Sequence, residues 1–220
     1  MKKRIFSTLL ALCMLLCLVP TGVFAAGTDT GKAIQLVDGG TAANISGGQN
    51  DNIYFGTWDK EPIKWRVLDD RTNTGESGLF LLSDALLGTG WSGDVYFDNS
   101  GNIRNAWQSS TAKTWCNDFY DKSFSNGEQG AVLATTKSDE ALSTGGMSFA
   151  ASENILNGDK VFFLSAAEAE NSAYGFTDDN ARIANYGNSP GVWWLRSPYA
   201  IFTTYAGVVF GNGPVYAYVV

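Results

Sequence analysis

Short stretches in which apolar and polar residues alternate run along most of this chain, as is typical of half-buried β-strands. In Ile63-Lys64-Trp65-Arg66-Val67 the three apolar side chains fall on one face. Residues 79–82 and 161–164 are instead continuous apolar runs, which favour buried central strands. The predicted strands are 34–37, 52–55, 63–67, 79–82, 161–164, 192–195, 205–210 and 215–220.

The clearest turn signal is Gly211-Asn212-Gly213-Pro214, which joins the last two predicted strands. Asn-Gly between two apolar runs favours a tight hairpin. Tyr216, Tyr218 and Val220 alternate as in a strand, and the sequence stops there. We therefore expect an unpaired outer edge at this hairpin, and a chain that is truncated at its C-terminus or part of a longer polypeptide.

Two segments have helical periodicity. The first has an apolar face with i, i+3, i+4, i+7 spacing, and Ser109 or Ser110 can cap its start. That face comprises Ala112, Trp115, Cys116 and Phe119. Trp65 and Trp115 lie on such apolar faces, so both are predicted to be structural core residues. Cys116 is expected to be a buried small apolar residue.

The second helix is predicted after the strand that ends at Leu164. Ser165 and Glu168 have the spacing of a capping box, and Gly175 is expected to mark the end of this short helix. Residues 135–158 are polar and are expected to form a long irregular loop. Two helices among many short, mostly antiparallel strands indicate the α+β class.

The N-terminus has the three parts of a secretory signal peptide. A basic cluster at residues 1–4 precedes an apolar run of about 15 residues, shorter than the roughly 20 that a membrane span needs. Val23 and Ala25 then occupy the small-residue cleavage positions. We expect a signal peptide at 1–25, a flexible lead at 26–33 and a single domain at 34–220, with the product secreted or on the cell surface.

Removal of the signal changes the charge and the cysteine count. It takes away three of the 15 basic residues and none of the 22 acidic ones, which leaves a net charge of −10. A chain this acidic is not expected to bind nucleic acid, and no second apolar segment predicts a membrane span. Cys116 would be the only remaining thiol, so no internal disulfide is expected.

The residue types limit the available chemistry. The sequence contains no histidine, which excludes Ser-His-Asp and Cys-His catalysis, and it has no glycine-rich phosphate loop. No catalytic residue, cofactor or metal site is predicted. The acid pairs 69–70, 139–140 and 178–179 are expected to be solvated turn residues, and the oxygen-rich segment 94–102 lacks the ligand ladder of a calcium loop.

Several segments in order resemble a bacterial family known only as domain of unknown function 6273. They are 54–58, 63–69, 81–83, 114–120, 159–165, 193–198 and 206–208. The resemblance implies a secreted or cell-surface protein of Gram-positive bacteria with a C-type-lectin-like fold and long irregular loops. Enzymes with that type of fold use a cysteine pair, which this chain lacks. The family tends to have leucine where Cys116 stands.

A loop at residues 198–204 carries the candidate ligand-binding side chains. Tyr199, Ile201 and Phe202 are large and apolar, so they either tuck into the core or form an exposed interaction patch. Tyr199 and Phe202, with Trp91 from a separate loop, are the residues that we expect to contact a ligand. Arg196 is predicted to have a structural role, with its guanidinium bonded to carbonyls or to an acid.

These observations favour a non-catalytic binding module whose ligand is a glycan or a surface protein. Two alternatives stay open, an acid-only enzyme acting on glycans and a purely structural surface domain. Two carboxylates in one cleft would favour the enzyme, and coplanar exposed aromatic rings would favour binding.

Overall fold

A computed structural model describes residues 32–33, 52–69, 78–88, 97, 105–138 and 141–219. Within them the class is α+β, with short and mostly antiparallel strands. The first sheet has the order β1 (Lys32–Ala33), β2 (Asn52–Trp58), β3 (Glu61–Asp69) and β4 (Phe80–Ser83). Its first pair is parallel and the others are antiparallel.

The second sheet contains the predicted hairpin. Strand β12 (Tyr205–Val209) pairs with β11 (Trp193–Pro198) on one side and with β13 (Val215–Val219) on the other. Both neighbours are antiparallel, and β13 is the outer strand in the part of the sheet that the structure describes. The hairpin predicted from the Asn-Gly turn is therefore confirmed.

The prediction of an irregular loop at residues 135–158 is wrong. Four short strands form there, because a turn at Gly145 and Gly146, both with positive φ, allows a tight hairpin. They are β5 (Thr135–Lys137), β6 (Leu142–Thr144), β7 (Met147–Phe149) and β8 (Leu156–Asp159), paired β5 with β8 and β6 with β7. Strands β9 (Ala184–Tyr186) and β10 (Ser189–Gly191) form a further pair.

Three α-helices occur in the described part of the chain. Helix α1 (Thr111–Ser123) starts at Ser110, whose side chain accepts a hydrogen bond from the backbone of Lys113. Helix α3 (Ala166–Ala169) has the predicted capping box but is shorter than expected, because the chain continues as a separate 3-10 turn, Ser172–Tyr174. Helix α2 (Asn126–Ala131), with its own capping box, escaped prediction.

The assignment of residues 161–164 to a central strand is also wrong. The segment contains no assigned strand, although its apolar side chains are at least half buried. One backbone hydrogen bond, from Arg196 N to Leu164 O at 2.8 Å, attaches it beside β11. The prediction that these side chains take part in apolar packing is thus confirmed, and the prediction that their backbone pairs as a strand is wrong.

In the part of the chain that the structure describes, three apolar clusters form the interior. One packs α3 and the end of β3 against the second sheet, one packs α1 against β12, and one joins β2 and β3 to α1 and α2. Their fully buried members include Leu68, Leu195, Val209, Trp107, Cys116, Ala206, Ile63 and Phe119. No helix among the described residues is long and apolar enough to cross a membrane.

The two tryptophans that were predicted to be core residues differ. Trp65 is half buried, stacks near Phe124 and donates a 2.7 Å hydrogen bond from Nε1 to the Phe55 carbonyl. Trp115 is 39% exposed, so its assignment to the core is wrong. The buried stripe of α1 runs through Ala112, Cys116, Phe119 and Ser123, and Trp115 lies beside that stripe rather than on it.

Candidate functional site

The loop between β11 and β12 carries two of the predicted ligand-binding residues. We call residues 199–204 the aromatic loop. Its rings form a cluster with the first residue of β12: Tyr199 and Phe202 are 5.9 Å apart between centroids, and Phe202 and Tyr205 are 5.4 Å apart. Trp91, the third predicted residue, lies outside the described residues.

The side chains of the aromatic loop divide between the interior and the solvent. Tyr199 is half buried and packs edge-on against Phe149, with a ring separation of 6.4 Å. Ile201 and Phe202 are 64% and 53% exposed. The loop therefore combines both alternatives left open by the sequence, with Tyr199 as the inward contact and Ile201 and Phe202 as an apolar tip in water.

A buried amide side chain fixes the shape of this loop. Asn105 is 3% exposed, and its Nδ2 group approaches the carbonyl oxygens of Tyr199, Phe202 and Tyr205 at 3.4, 3.3 and 2.8 Å. Three carbonyls that converge on one donor group hold the two ends and the tip of the loop together. The sequence shows no sign of this contact, because Asn105 is 94 or more residues away from its partners.

Backbone hydrogen bonds attach the same loop to its neighbours. Ala200 N donates to Ser148 O at 2.8 Å and Ala150 N donates to Pro198 O at 3.1 Å, which connects the loop to the hairpin of β6 and β7. Tyr199 N donates to Tyr205 O at 3.0 Å across the base of the loop. These hydrogen bonds therefore hold the backbone of the loop in place beneath its exposed tip. Binding of a ligand to the tip would require little further ordering of the loop.

The rings do not form a flat platform. Tyr199 and Phe202 are tilted by 48° and Phe202 and Tyr205 by 42°. The coplanar aromatic surface that would have favoured a stacking site for extended sugars is therefore not formed by these three rings. The tip instead presents the aliphatic Ile201 beside the edge and face of one phenyl ring.

Arg196 forms the centre of a buried polar network behind the aromatic loop. The side chain is fully buried and donates hydrogen bonds to the carbonyls of Asn154 and Phe163 at 3.1 and 2.7 Å. Its Nη1 also bonds Glu168 Oε2 at 2.5 Å. These partners are the carbonyls and the acid that the sequence predicted for it, and the energetic role of Arg196 stays a prediction.

Glu168 connects this network to helix α3. Burial alone would raise the pKa of Glu168, but Arg196 and Lys137 hold it below its usual value through charge and hydrogen bonds. The same carboxylate accepts the backbone N–H of Ser165 at 2.8 Å in the capping box. One buried carboxylate thus pairs with two cations and fixes the start of a helix.

Asp159 has a comparable role under α1. Burial acts to raise its pKa, but hydrogen bonds from the Asn157 backbone and from Lys113, Gln108 and Trp107 lower it overall. Trp107 Nε1 donates to it at 3.1 Å and Lys113 Nζ lies 3.0 Å away. Asp159 and Glu168 therefore each have a cationic partner and hold neighbouring segments in place.

The acid pairs have no common substrate cleft in the described residues. Asp178 accepts the backbone N–H of Ala181 at 3.0 Å, and Asp179 pairs with Arg182, as expected for residues of a turn. Asp69 is buried at the end of β3, so the expectation of a solvated turn residue is wrong for this position. Residues 70, 139 and 140 and the oxygen-rich segment 94–102, apart from Phe97, lie outside the described part of the chain. No cluster of metal-ligating side chains occurs among the described residues.

The described residues form an α+β domain of short, mostly antiparallel strands. The ion pair of Arg196 and Glu168 lies where α3 meets the second sheet. The chain belongs to the family described as domain of unknown function (DUF6273), whose family model matches residues 76–217. The match includes the aromatic loop, Asp159 and Glu168. Comparison with curated proteins and with solved structures finds no match.

Proposed function

We propose that this protein is a secreted or cell-surface binding module without catalytic activity, and that its ligand is a glycan or a surface protein. The supporting observation is the exposed apolar tip of the aromatic loop, held in place by Asn105. Isolated exposed apolar residues are ordinary, but adjacent ones on a fixed loop are typical of interaction sites. The Gram-positive bacterial origin and the C-type-lectin-like fold are part of the proposal and derive from the family resemblance.

The contact residues of this proposed site are Ile201 and Phe202, with Tyr199 as their support. Burying both exposed side chains would remove a large apolar area from water, which favours association. The tilted rings favour insertion of the tip into a partner's recess over flat stacking on a sugar chain. A protein partner is therefore the first expectation and a glycan the second.

The test compares the double variant Ile201→Ser, Phe202→Ser with wild type. Labelled protein, starting after the predicted signal peptide, is applied to a glycan array and to intact bacterial and epithelial cells, before and after protease treatment of the cells. We expect wild-type binding that the double variant loses, with protease sensitivity identifying a protein ligand. The free energy of unfolding should change by less than about 1 kcal/mol, because both side chains are mainly exposed.

Ile155→Ser is the matched control, because Ile155 is also exposed, at 42%, and lies outside the aromatic loop. This variant should bind like wild type. If the double variant binds as well as wild type to every ligand that wild type recognises, the aromatic loop is not the binding site. If the double variant unfolds, Ile201 and Phe202 are core residues and the proposed site is wrong.

A further inference from the structure

A second concave site lies beside β4, away from the aromatic loop. The structure has a cavity of about 1180 Å³ there, bounded by residues 78–88, 131–137, 160–164 and 182–194. Its volume lies slightly above the about 300–1,000 Å³ that is typical of binding sites for small organic molecules, so such a molecule would fit. The wall around residues 161–164 is the segment that the sequence predicted as a central strand and that forms no strand here.

Both ends of the β4 segment are packed closely against the opposite walls. A Cβ atom on Gly78 would lie 2.6 Å from Leu133 Cδ1, and one on Gly191 would lie 2.5 Å from Leu86 Cδ1. Leu86 N also donates a 2.9 Å hydrogen bond to Asn185 O. These contacts hold both ends of the β4 segment against the opposite walls of the cavity.

The walls of the cavity are largely apolar. Phe80 packs at 6.1 Å from Phe162 between ring centroids, and Leu82 and Trp193 continue the apolar surface. Several large side chains of the lining are themselves exposed to solvent. They are Trp115, Leu133, Ile183 and Tyr186, with exposed fractions of 39, 47, 36 and 50%. The exposed face of Trp115, which contradicted its assignment to the core, therefore belongs to this cavity.

Most of the basic groups of the lining are bonded within the protein. Four basic side chains occur among the described lining residues, and two of them pair with carboxylates. The carboxylates are Glu168 for Lys137, and Glu170 and Asp179 for Arg182. Lys160 is exposed to solvent, which hydrates its charge, and it donates to the neutral hydroxyl of Tyr120.

Arg66 is the fourth basic group and has a different environment. Its Nη1 donates one 3.2 Å hydrogen bond to Ala181 O, and its guanidinium lies 4.9 Å from the centroid of Phe176. Within the described residues no carboxylate lies at salt-bridge distance from it; Asp84, which acts on it through charge, is bonded at 3.2 Å to Lys64. Desolvation by burial lowers the pKa of Arg66, so its charge is poorly compensated.

We propose that this cavity binds a small organic anion with an apolar body, whose anionic group pairs with Arg66. A guanidinium carries five N–H donors in a fixed planar fork that fits carboxylate and sulfonate oxygens. The apolar walls beside β4 then bury the body of the same molecule. This site shares no residue with the aromatic loop and does not depend on the proposed function.

The first experiment uses two fluorescent probes on the full protein. Anilinonaphthalene sulfonate is anionic, and phenylnaphthylamine has a similar ring system without a charge. Arg66→Gln should weaken binding of the sulfonate about tenfold or more, because hydrogen bonds to charged groups are strong, and should change binding of the neutral probe less than about twofold. Lys122→Gln, a charge change at an exposed position of α1, should alter neither.

The second experiment needs no variant that might fold poorly. Octanoate and octan-1-ol have equal chain lengths, and each is titrated into the wild-type complex with the neutral probe. We expect octanoate to displace the probe at about tenfold lower concentration than the alcohol, despite its greater affinity for water. A separate measurement uses Leu82→Trp, which adds bulk to the apolar wall and should weaken the binding of both probes.

Two results would overturn the proposal. Equal displacement by octanoate and octan-1-ol would show that the cavity does not select an anion. If Leu82→Trp binds both probes as well as wild type does, the probes bind outside this cavity. Loss of probe binding in the Ile201→Ser, Phe202→Ser variant would then identify the aromatic loop as their site.

Discussion

Among single residues, Arg196 offers the sharpest test of stability. Its replacement by alanine removes two hydrogen bonds to backbone carbonyls and one of the two cationic partners of Glu168. Because a buried charge that loses its partner is costly, we expect the free energy of unfolding to fall by about 2–4 kcal/mol in urea titrations. Lys122→Ala, at an exposed position, should change it by less than about 0.5 kcal/mol.

A loss below about 0.5 kcal/mol in Arg196→Ala would contradict the structural role. Arg196→Met separates charge from volume, since it keeps an unbranched side chain of similar length. If the ion pair with Glu168 matters, Arg196→Met and Arg196→Ala should be destabilised to a similar extent.

Trp115 shows how far a helical pattern predicts the position of one side chain. The i, i+3, i+4, i+7 spacing correctly predicted that Ala112, Cys116 and Phe119 are buried. Trp115 matched the same spacing but stacks with Phe119 at 5.4 Å and remains 39% exposed. Helical periodicity defines the direction in which a side chain points. How deeply the side chain is buried depends on the residues that pack against it, and Trp115 faces a cavity instead.

The stability that the start of helix α3 contributes to the fold is expected to depend on pH. Burial would raise the pKa of Glu168, but Arg196 and Lys137 hold it below its usual value. A carboxylate with a lowered folded-state pKa stabilises the fold above its unfolded pKa of about 4.3, and this contribution disappears as the pH falls through the folded-state pKa. Wild type should therefore lose stability steeply below about pH 4.

In Glu168→Gln that pH dependence should be weaker, and the difference in unfolding free energy from wild type should shrink as the pH falls from 7 to about 3. Ser165→Ala is the matched control, because it removes the other half of the capping box without removing a titrating group. Ser165→Ala should lower the free energy of unfolding by about 0.5–2 kcal/mol, and by the same amount at each pH from 7 to about 3. A difference between wild type and Glu168→Gln that is constant with pH would refute the assignment.

The aromatic loop is predicted to depend on Asn105 for its order. Asn105→Ala removes the donor that the carbonyls of Tyr199, Phe202 and Tyr205 share. We expect faster hydrogen exchange at the amides of Tyr199 and Tyr205, since both bond within the loop, and weaker ligand binding. Exchange in β13 should change less. Unaltered exchange at both amides would mean that the backbone bonds alone hold the loop.

Elements defined by neighbouring residues could be predicted from the sequence, and elements defined by distant partners could not. Ser165 with Glu168, the Asn-Gly turn and the alternation around Trp65 depend on residues within a few positions of one another. The backbone of residues 161–164 instead depends on whether β4 and β11 approach it from both sides. Among the described residues, a backbone hydrogen bond reaches it from β11, between Arg196 and Leu164, whereas β4 contacts it through the ring of Phe80, so a strand-like sequence forms no strand.

The same distinction applies to the candidate sites. The aromatic loop was predictable because large apolar residues between two strands are unusual in a short stretch of sequence. Asn105 and the cavity at Arg66 were not predictable, since their contacts join residues about 100 positions apart. Trp91 stays a prediction, as it lies outside the described residues.

In the whole molecule, the second sheet separates two of the apolar clusters. Leu195 and Val209 face the cluster that contains α3, whereas Ala206 packs with Trp107 and Cys116 on the α1 side. The aromatic loop extends from one end of this sheet, and the cavity lies between its first strand and the first sheet. Both candidate sites are therefore held by the same buried framework, and loss of that framework should affect both.

Cys116 provides a way to measure the opening of this framework. Its side chain is fully buried, and desolvation together with nearby Asp159 raises the pKa of its thiol. Since the thiolate is the reactive form, a folded protein should react with N-ethylmaleimide far more slowly than the same protein in concentrated urea. Cys13 and Cys17 lie in the predicted signal peptide, so a chain that begins at Ala26 contains this thiol alone.

The reaction rate of Cys116 should then follow global stability. If labelling requires opening of the whole interior, Arg196→Ala should increase the native-state rate about tenfold for each 1.4 kcal/mol of stability lost, as measured by mass spectrometry over time. The exposed variant Ile155→Ser should leave the rate close to that of wild type. Rapid labelling of wild type in native buffer, at a rate that Arg196→Ala does not change, would show that α1 opens locally instead.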